Sequence, residues 1–132
     1  MNRTEKAIKM AEKAVEYKHN GNNCAQAVIR ALAEQYDMNA EELSKVAAGF
    51  GVGMGTMGAT CGALVGANII AGVKTQGQGT IMKSKELFNG FEQLCGASTC
   101  KVLKGIEEGK TLCSCDDCVR NAVIAATNIL GE

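Results

Sequence analysis

An all-α helical bundle is the fold this sequence predicts, and three observations predict it. Apolar residues recur at three- and four-residue spacing in successive segments. No proline occurs among the 132 residues, so none of those periods is broken. No segment shows the sustained apolar–polar alternation of a strand, and turn signals of the β kind are few. The length suits one domain, residues 1–132, with a real core. The expectation is a compact bundle with a glycine-rich loop and a buried helix at its centre.

The elements follow in order. Thr4 to about Lys18 reads as an amphipathic helix, with Ala7, Ile8, Ala11, Ala14 and Val15 on one face. His19 at its end is read as a favourable charge at a helix C-terminus rather than a ligand. After a turn at His19–Asn22, a second helix starts near Asn23, with Cys24, Ala27, Val28, Ala31, Leu32 and Gln35 in one stripe. Asn39 caps a third helix, with Glu42 three residues on as in a capping box and Met38 and Leu43 as a hydrophobic staple. Its expected apolar face is Leu43, Val46, Ala47 and Phe50.

Phe50 to Ala67 is the most unusual stretch. It carries Gly51, Gly53, Gly55, Gly58, Gly62 and Gly66 around Cys61, and no charged residue occurs between Lys45 and Lys74. The first half is expected to be a buried glycine loop. The second half is expected to be a central helix from about Thr60 to Val73, with Gly62 and Gly66 opening one face to close packing. Gly53–Gly58 fits GxGxxG, but a helix precedes it and no Asp or Glu occurs from Leu43 to Lys85, so a dinucleotide site is not expected. The apolar runs are too short and too interrupted by glycine for a membrane span.

Beyond a polar loop at Thr75–Gly79, Ile81, Leu87, Phe88, Phe91 and Leu94 mark a fifth helix ending at Cys95-Gly96. Ser98-Thr99 opens a short sixth with Cys100, Val102 and Leu103. A loop at Gly105–Thr111 leads to a last helix from about Cys115 to Leu130, with Val119, Ala122, Val123, Ala126, Ile129 and Leu130 on one side.

Lysine plus arginine and aspartate plus glutamate each number 14, a balance that argues against a nucleic-acid surface. The first residues, MNRTEKAIKM, hold no apolar signal region, so a cytoplasmic protein is expected. Seven cysteines in a reducing compartment then point to metal binding or redox chemistry rather than a disulfide framework. No Ser/His/Asp set, P-loop or paired-carboxylate arrangement is legible.

Four cysteines follow a residue able to cap a helix: Asn23-Cys24, Thr60-Cys61, Thr99-Cys100 and Ser114-Cys115. Each is expected in a first turn, where outward N–H groups favour thiolate, the form that binds metal. Four such thiolates converging would suit an iron–sulfur cluster. Cys115 and Cys118 also form a CxxC, although without the α/β context of a thioredoxin-like site. Cys95 and Cys100 make an imperfect second pair for a zinc site. Asp116 and Asp117 are read as helix-terminus residues.

The chain resembles the family of redox-active proteins named for the C_GCAxxG_C_C cysteine signature. The resemblance rests on Gly21 to Val28, Phe50-Gly51 through Met57-Gly58, Thr60 to Gly66, Gly96 through Cys100 to Gly105, and Cys115 with Val119 and Ala122. It places the family's four cysteines on Cys24, Cys61, Cys100 and Cys115, with Cys118 as alternate for the fourth. Cys95, Cys113 and Cys118 are extra to the pattern. Val52 and Thr56 depart from a more glycine-rich, basic version of the loop. A related domain in split-Soret cytochromes carries iron–sulfur and haem centres, which implies an iron–sulfur cluster; no CxxCH haem motif occurs here. The functional expectation is an iron–sulfur electron carrier serving a redox partner protein. The alternatives are a thiol–disulfide oxidoreductase using Cys115 and Cys118, and a structural zinc protein. A homo-oligomer is compatible with this reading.

Overall fold

The computed structural model describes residues 2–131. Among these, seven α-helices follow one another: α1 Arg3–His19, α2 Cys24–Gln35, α3 Ala40–Ala47, α4 Gly62–Lys74, α5 Thr80–Cys95, α6 Cys100–Lys104 and α7 Cys115–Leu130. No strand is present among the described residues, and one isolated antiparallel bridge joins Thr60 to Thr99. The all-α class is therefore as predicted.

Cap chemistry sets several helix starts. At α2, Asn23 Oδ1 accepts from the Gln26 N–H at 2.9 Å while Gln26 Oε1 accepts from the Asn23 N–H at 3.1 Å, a complete capping box. At α3, Asn39 Oδ1 accepts from the Glu42 N–H at 3.1 Å. At α7, Ser114 Oγ accepts from the Asp117 N–H at 3.1 Å. Gly96 and Gly105, both at positive φ, end α5 and α6.

Helix α2 packs against α1, α3, α4 and α7, and α7 also packs against α1, α4 and α5. Val28, Ile29 and Leu32 of α2, Ile70 of α4, Leu87 and Phe91 of α5, and Val119 and Val123 of α7 are fully buried. Each such side chain contributes about 1.5–3 kcal/mol by leaving water. The buried stripes are narrower than periodicity alone suggests. Ile8, Val46, Ile81, Phe88 and Leu94 keep the helical period yet face solvent, because α1, α3 and α5 lie at the outside and are covered on one side only.

Helix α4 meets the backbone of α2 closely. A Cβ on Gly66 would stand 2.6 Å from the Ala25 carbonyl oxygen, so only glycine permits this approach. The glycine loop ahead of α4 departs from the buried segment expected. Gly51 and Gly53 are buried, but Val52, Met54, Gly55, Thr56 and Gly58 are exposed. Absence of charge there reflects tight backbone turns rather than burial, with Val52, Gly53, Met54, Gly55 and Met57 all at positive φ. A β-branched residue rarely adopts that conformation, so Val52 at φ 56° marks local strain.

Candidate functional site

The four cysteines singled out in the sequence come from four separate helix starts. Asn23, Thr99 and Ser114 occupy cap positions, which makes Cys24, Cys100 and Cys115 the first residues of α2, α6 and α7. The Thr60-Cys61 pair differs: Cys61 itself is the cap of α4, and Thr60 lies outside the helix in the bridge to Thr99. That bridge sets two of the cysteines side by side. The Cys61 N–H donates to the Ser98 carbonyl at 2.7 Å, and the Cys100 N–H donates to the Ala59 carbonyl at 3.0 Å.

Cys24, Cys61, Cys100 and Cys115 all line one cavity of about 250 Å³, together with Cys113 and Cys118. Six sulfurs therefore share a single space, with no carboxylate or imidazole in its wall. Lys18 and Lys104 supply positive charge at the same cavity, and Val52 brings the glycine loop to its edge. Gly53 makes that approach possible: a Cβ there would stand 2.8 Å from the Cys100 Cβ. On the next turn of the chain, Gly62 lies directly against Cys24.

Helix-start placement does not by itself make these cysteines acidic. Burial pushes the Cys24 thiol up, although backbone N–H groups of Val52 and Ala25 work against it. Burial likewise raises Cys100, against the pull of the Lys104 ammonium. The five residues of α6 and the half-buried start of α2 offer too little field to overcome desolvation. Cys61 is lowered to about 7, although it caps α4 rather than sitting in its first turn. A hydrogen bond from Cys118 is the main cause, and the N–H groups of Ala63 and Leu64 at the start of α4 add to it.

Cys95, Cys113 and Cys118 form a second, tighter group, two of whose members, Cys113 and Cys118, also line the cavity. All three are buried, and their sulfurs lie within 4.8 Å of one another, a spacing able to hold a metal ion. Cys118, hydrogen-bonded to Cys61 and Cys95, has its own thiol pushed far up. Cys95 is lowered to about 6, chiefly by the hydrogen bond from Cys118 and further by Asn121. Burial pushes Cys113 up to about 12. The Cys118 S–H also points to the Cys113 carbonyl at 3.7 Å.

Sequence reasoning set this second group aside as extra cysteines. The available signal was weak: Cys95 closes α5, and Cys113 and Cys118 flank the start of α7. Only the packing of α5 along α7 brings them together. Asn121 also went unnoticed; it lies three residues after Cys118, on the same side of α7. His19 pairs with Asp116, its Nε2 3.0 Å from the carboxylate, while Lys18 approaches the same group at 3.3 Å. Asp117 accepts from Arg120 Nη1 at 2.8 Å. Both aspartates thus serve the α7 terminus and its packing on α1.

Fold and site together define a class: a cysteine-rich helical domain whose thiols gather in a redox or metal-binding centre. The chain belongs to the family described as "Putative redox-active protein (C_GCAxxG_C_C)", which matches residues 22–129. No curated protein and no solved structure matches the chain. No helix among the described residues is long and apolar enough to cross a membrane.

Proposed function

We propose that the cavity is a redox centre in which Cys24, Cys61, Cys100 and Cys115 hold an iron–sulfur cluster, and that the protein carries electrons to or from a partner protein. One observation carries this reading: four thiols from four helix starts line one cavity whose wall holds no carboxylate and no imidazole. Soft thiolates are the ligands iron–sulfur centres take. The cluster supplies the one-electron chemistry when bound; the chain supplies the ligands and their surroundings. Lys18 and Lys104 offset the negative charge of four thiolates. The Val52 N–H donates towards the Cys24 sulfur, and N–H groups of Ala63 and Leu64 towards Cys61, which stabilises the ligands as thiolates.

The reading is supported further by the placement of Cys118. It interacts with Cys61, Cys95 and the Cys113 carbonyl, and Cys115 is not among these partners, which favours the cluster over a CxxC exchange. The test is purification without oxygen, followed by metal and sulfide analysis and a visible spectrum. Iron with matching sulfide and broad absorption near 400 nm supports the cluster. Colourless, metal-free protein with thiol-exchange activity at Cys115 and Cys118 would favour the dithiol alternative. Zinc at one per chain held by the four cavity cysteines would favour the structural one.

A further inference from the structure

The buried group of Cys95, Cys113 and Cys118 is not needed for a four-thiol cavity site, and its geometry is different. The three residues are 4%, 8% and 3% exposed, and each sulfur is within 4.8 Å of the other two. A single ion bound at a metal–sulfur distance of about 2.3 Å holds three sulfurs about 4 Å apart. The group therefore needs little movement to close on one ion. A multi-iron core places metal–metal edges between its ligands and spreads them further.

The surroundings are those of a ligand set. Asn121 Nδ2 donates to Cys95 Sγ at 3.3 Å and reaches Cys113 Sγ at 4.0 Å. An amide N–H cannot ligate a metal, but it fixes and stabilises thiolates that do. The group holds three sulfurs and no fourth ligand atom at the same mutual spacing among the described residues. Structural zinc sites close with four ligands, whereas copper(I) is soft and accepts three thiolates in a trigonal site.

We propose that Cys95, Cys113 and Cys118 form a second centre that binds one copper(I)-class ion in three-coordinate thiolate geometry, oriented by Asn121. Binding exchanges protons and no electrons: three S–H bonds are replaced by three metal–sulfur bonds, and up to three protons leave to solvent. The complex carries a net charge of −2, which the Asn121 N–H donors help to stabilise. Cys113 and Cys118 also line the cavity, so the two centres are direct neighbours.

The test uses the full chain, reduced and metal-free, titrated with copper(I) under nitrogen against a coloured copper(I) chelator. A Cys24→Ser/Cys100→Ser/Cys115→Ser background removes three of the four cavity ligands and leaves Cys61 in place. There, one copper per chain is expected, with three sulfur neighbours by X-ray absorption. Adding Cys95→Ser or Cys113→Ser should weaken binding about a hundredfold, and Asn121→Ala about tenfold with all three thiols intact. Circular dichroism checks that each variant is folded; if the serine variants unfold, Asn121→Ala alone decides. Unchanged affinity in Asn121→Ala, or in folded Cys95→Ser and Cys113→Ser, would overturn the proposal. So would a site that takes zinc in preference and loses it in Cys61→Ser, since that describes a four-coordinate centre.

Discussion

A Cβ built on Gly62 would stand 2.6 Å from the Cys24 sulfur and 2.6 Å from the Phe50 carbonyl oxygen. The contact between α4 and the start of α2 is therefore set by the absence of one methyl group. Gly62→Ala should push Cys24 or the glycine loop away and cost about 1–3 kcal/mol. Gly66→Ala should cost a similar amount through the Ala25 carbonyl, but away from the cavity. Gly72 has nothing within 4 Å of a Cβ, so Gly72→Ala in the same helix should be neutral or stabilising by up to about 1 kcal/mol. Denaturant titration ranks the three, and iron content should fall in Gly62→Ala more than in Gly66→Ala. Equal stability of all three would refute close packing at this face.

Cys61 should be more acidic than Cys24 and Cys100, which face the same cavity. In reduced, metal-free protein its alkylation rate should rise with pH through a midpoint near 7, while Cys24 and Cys100 need higher pH. Cys118→Ala removes the main hydrogen-bond donor to the Cys61 thiolate, so its value should rise and its rate at pH 7 should drop by about two- to tenfold. Mass-spectrometric mapping of labelled peptides reads this directly. An unchanged Cys61 rate in folded Cys118→Ala would show that the hydrogen bond does not act.

The pairing of Asp116 with His19 and Lys18 ties α7 to α1 and gives stability a pH dependence. Burial opposes the shift, but His19 and Lys18 together hold the Asp116 carboxyl below its ordinary value. A lowered folded value means the contribution is complete above about pH 3.9, the unfolded value, and fades as pH falls through the folded one. Asp116→Asn should therefore lose up to about 1 kcal/mol at pH 7 and nothing near pH 2. Urea titrations of both proteins at the two pH values check it. A loss that is the same at both would mean that packing, not charge, is the contribution.

Much of the architecture was legible because its signals are local. Asn23, Asn39 and Ser114 announce helix starts through their own side chains, and Gly96 and Gly105 announce helix ends through positive φ. The placement of Cys24, Cys61, Cys100 and Cys115 at one cavity also had a local signal, since each follows a residue able to cap a helix. What was hidden depends on which face of a helix finds a partner. Ile81 and Phe88 keep the same period as Leu87 and Phe91, and only the packing of α5 on α4 and α7 separates them. The exposure of Met54 and Thr56 was hidden too, because an uncharged glycine-rich stretch reads alike whether it is buried or tightly turned. The thiol acidities were misread for Cys24 and Cys100, where desolvation outweighs the helix-start field.

The proposed cluster rests on four cavity thiolates, not on the buried group. The deciding measurement is iron and sulfide per chain in protein purified without oxygen, for Cys24→Ser, Cys61→Ser, Cys100→Ser, Cys115→Ser, Cys95→Ser and Cys113→Ser. A hydroxyl is a poor substitute for thiolate at iron. Iron and colour should be lost, or fall to about a tenth or less, in each of the first four, and be retained in folded Cys95→Ser and Cys113→Ser. Iron retained in Cys61→Ser and Cys24→Ser, with loss confined to Cys95→Ser and Cys113→Ser, would contradict the account.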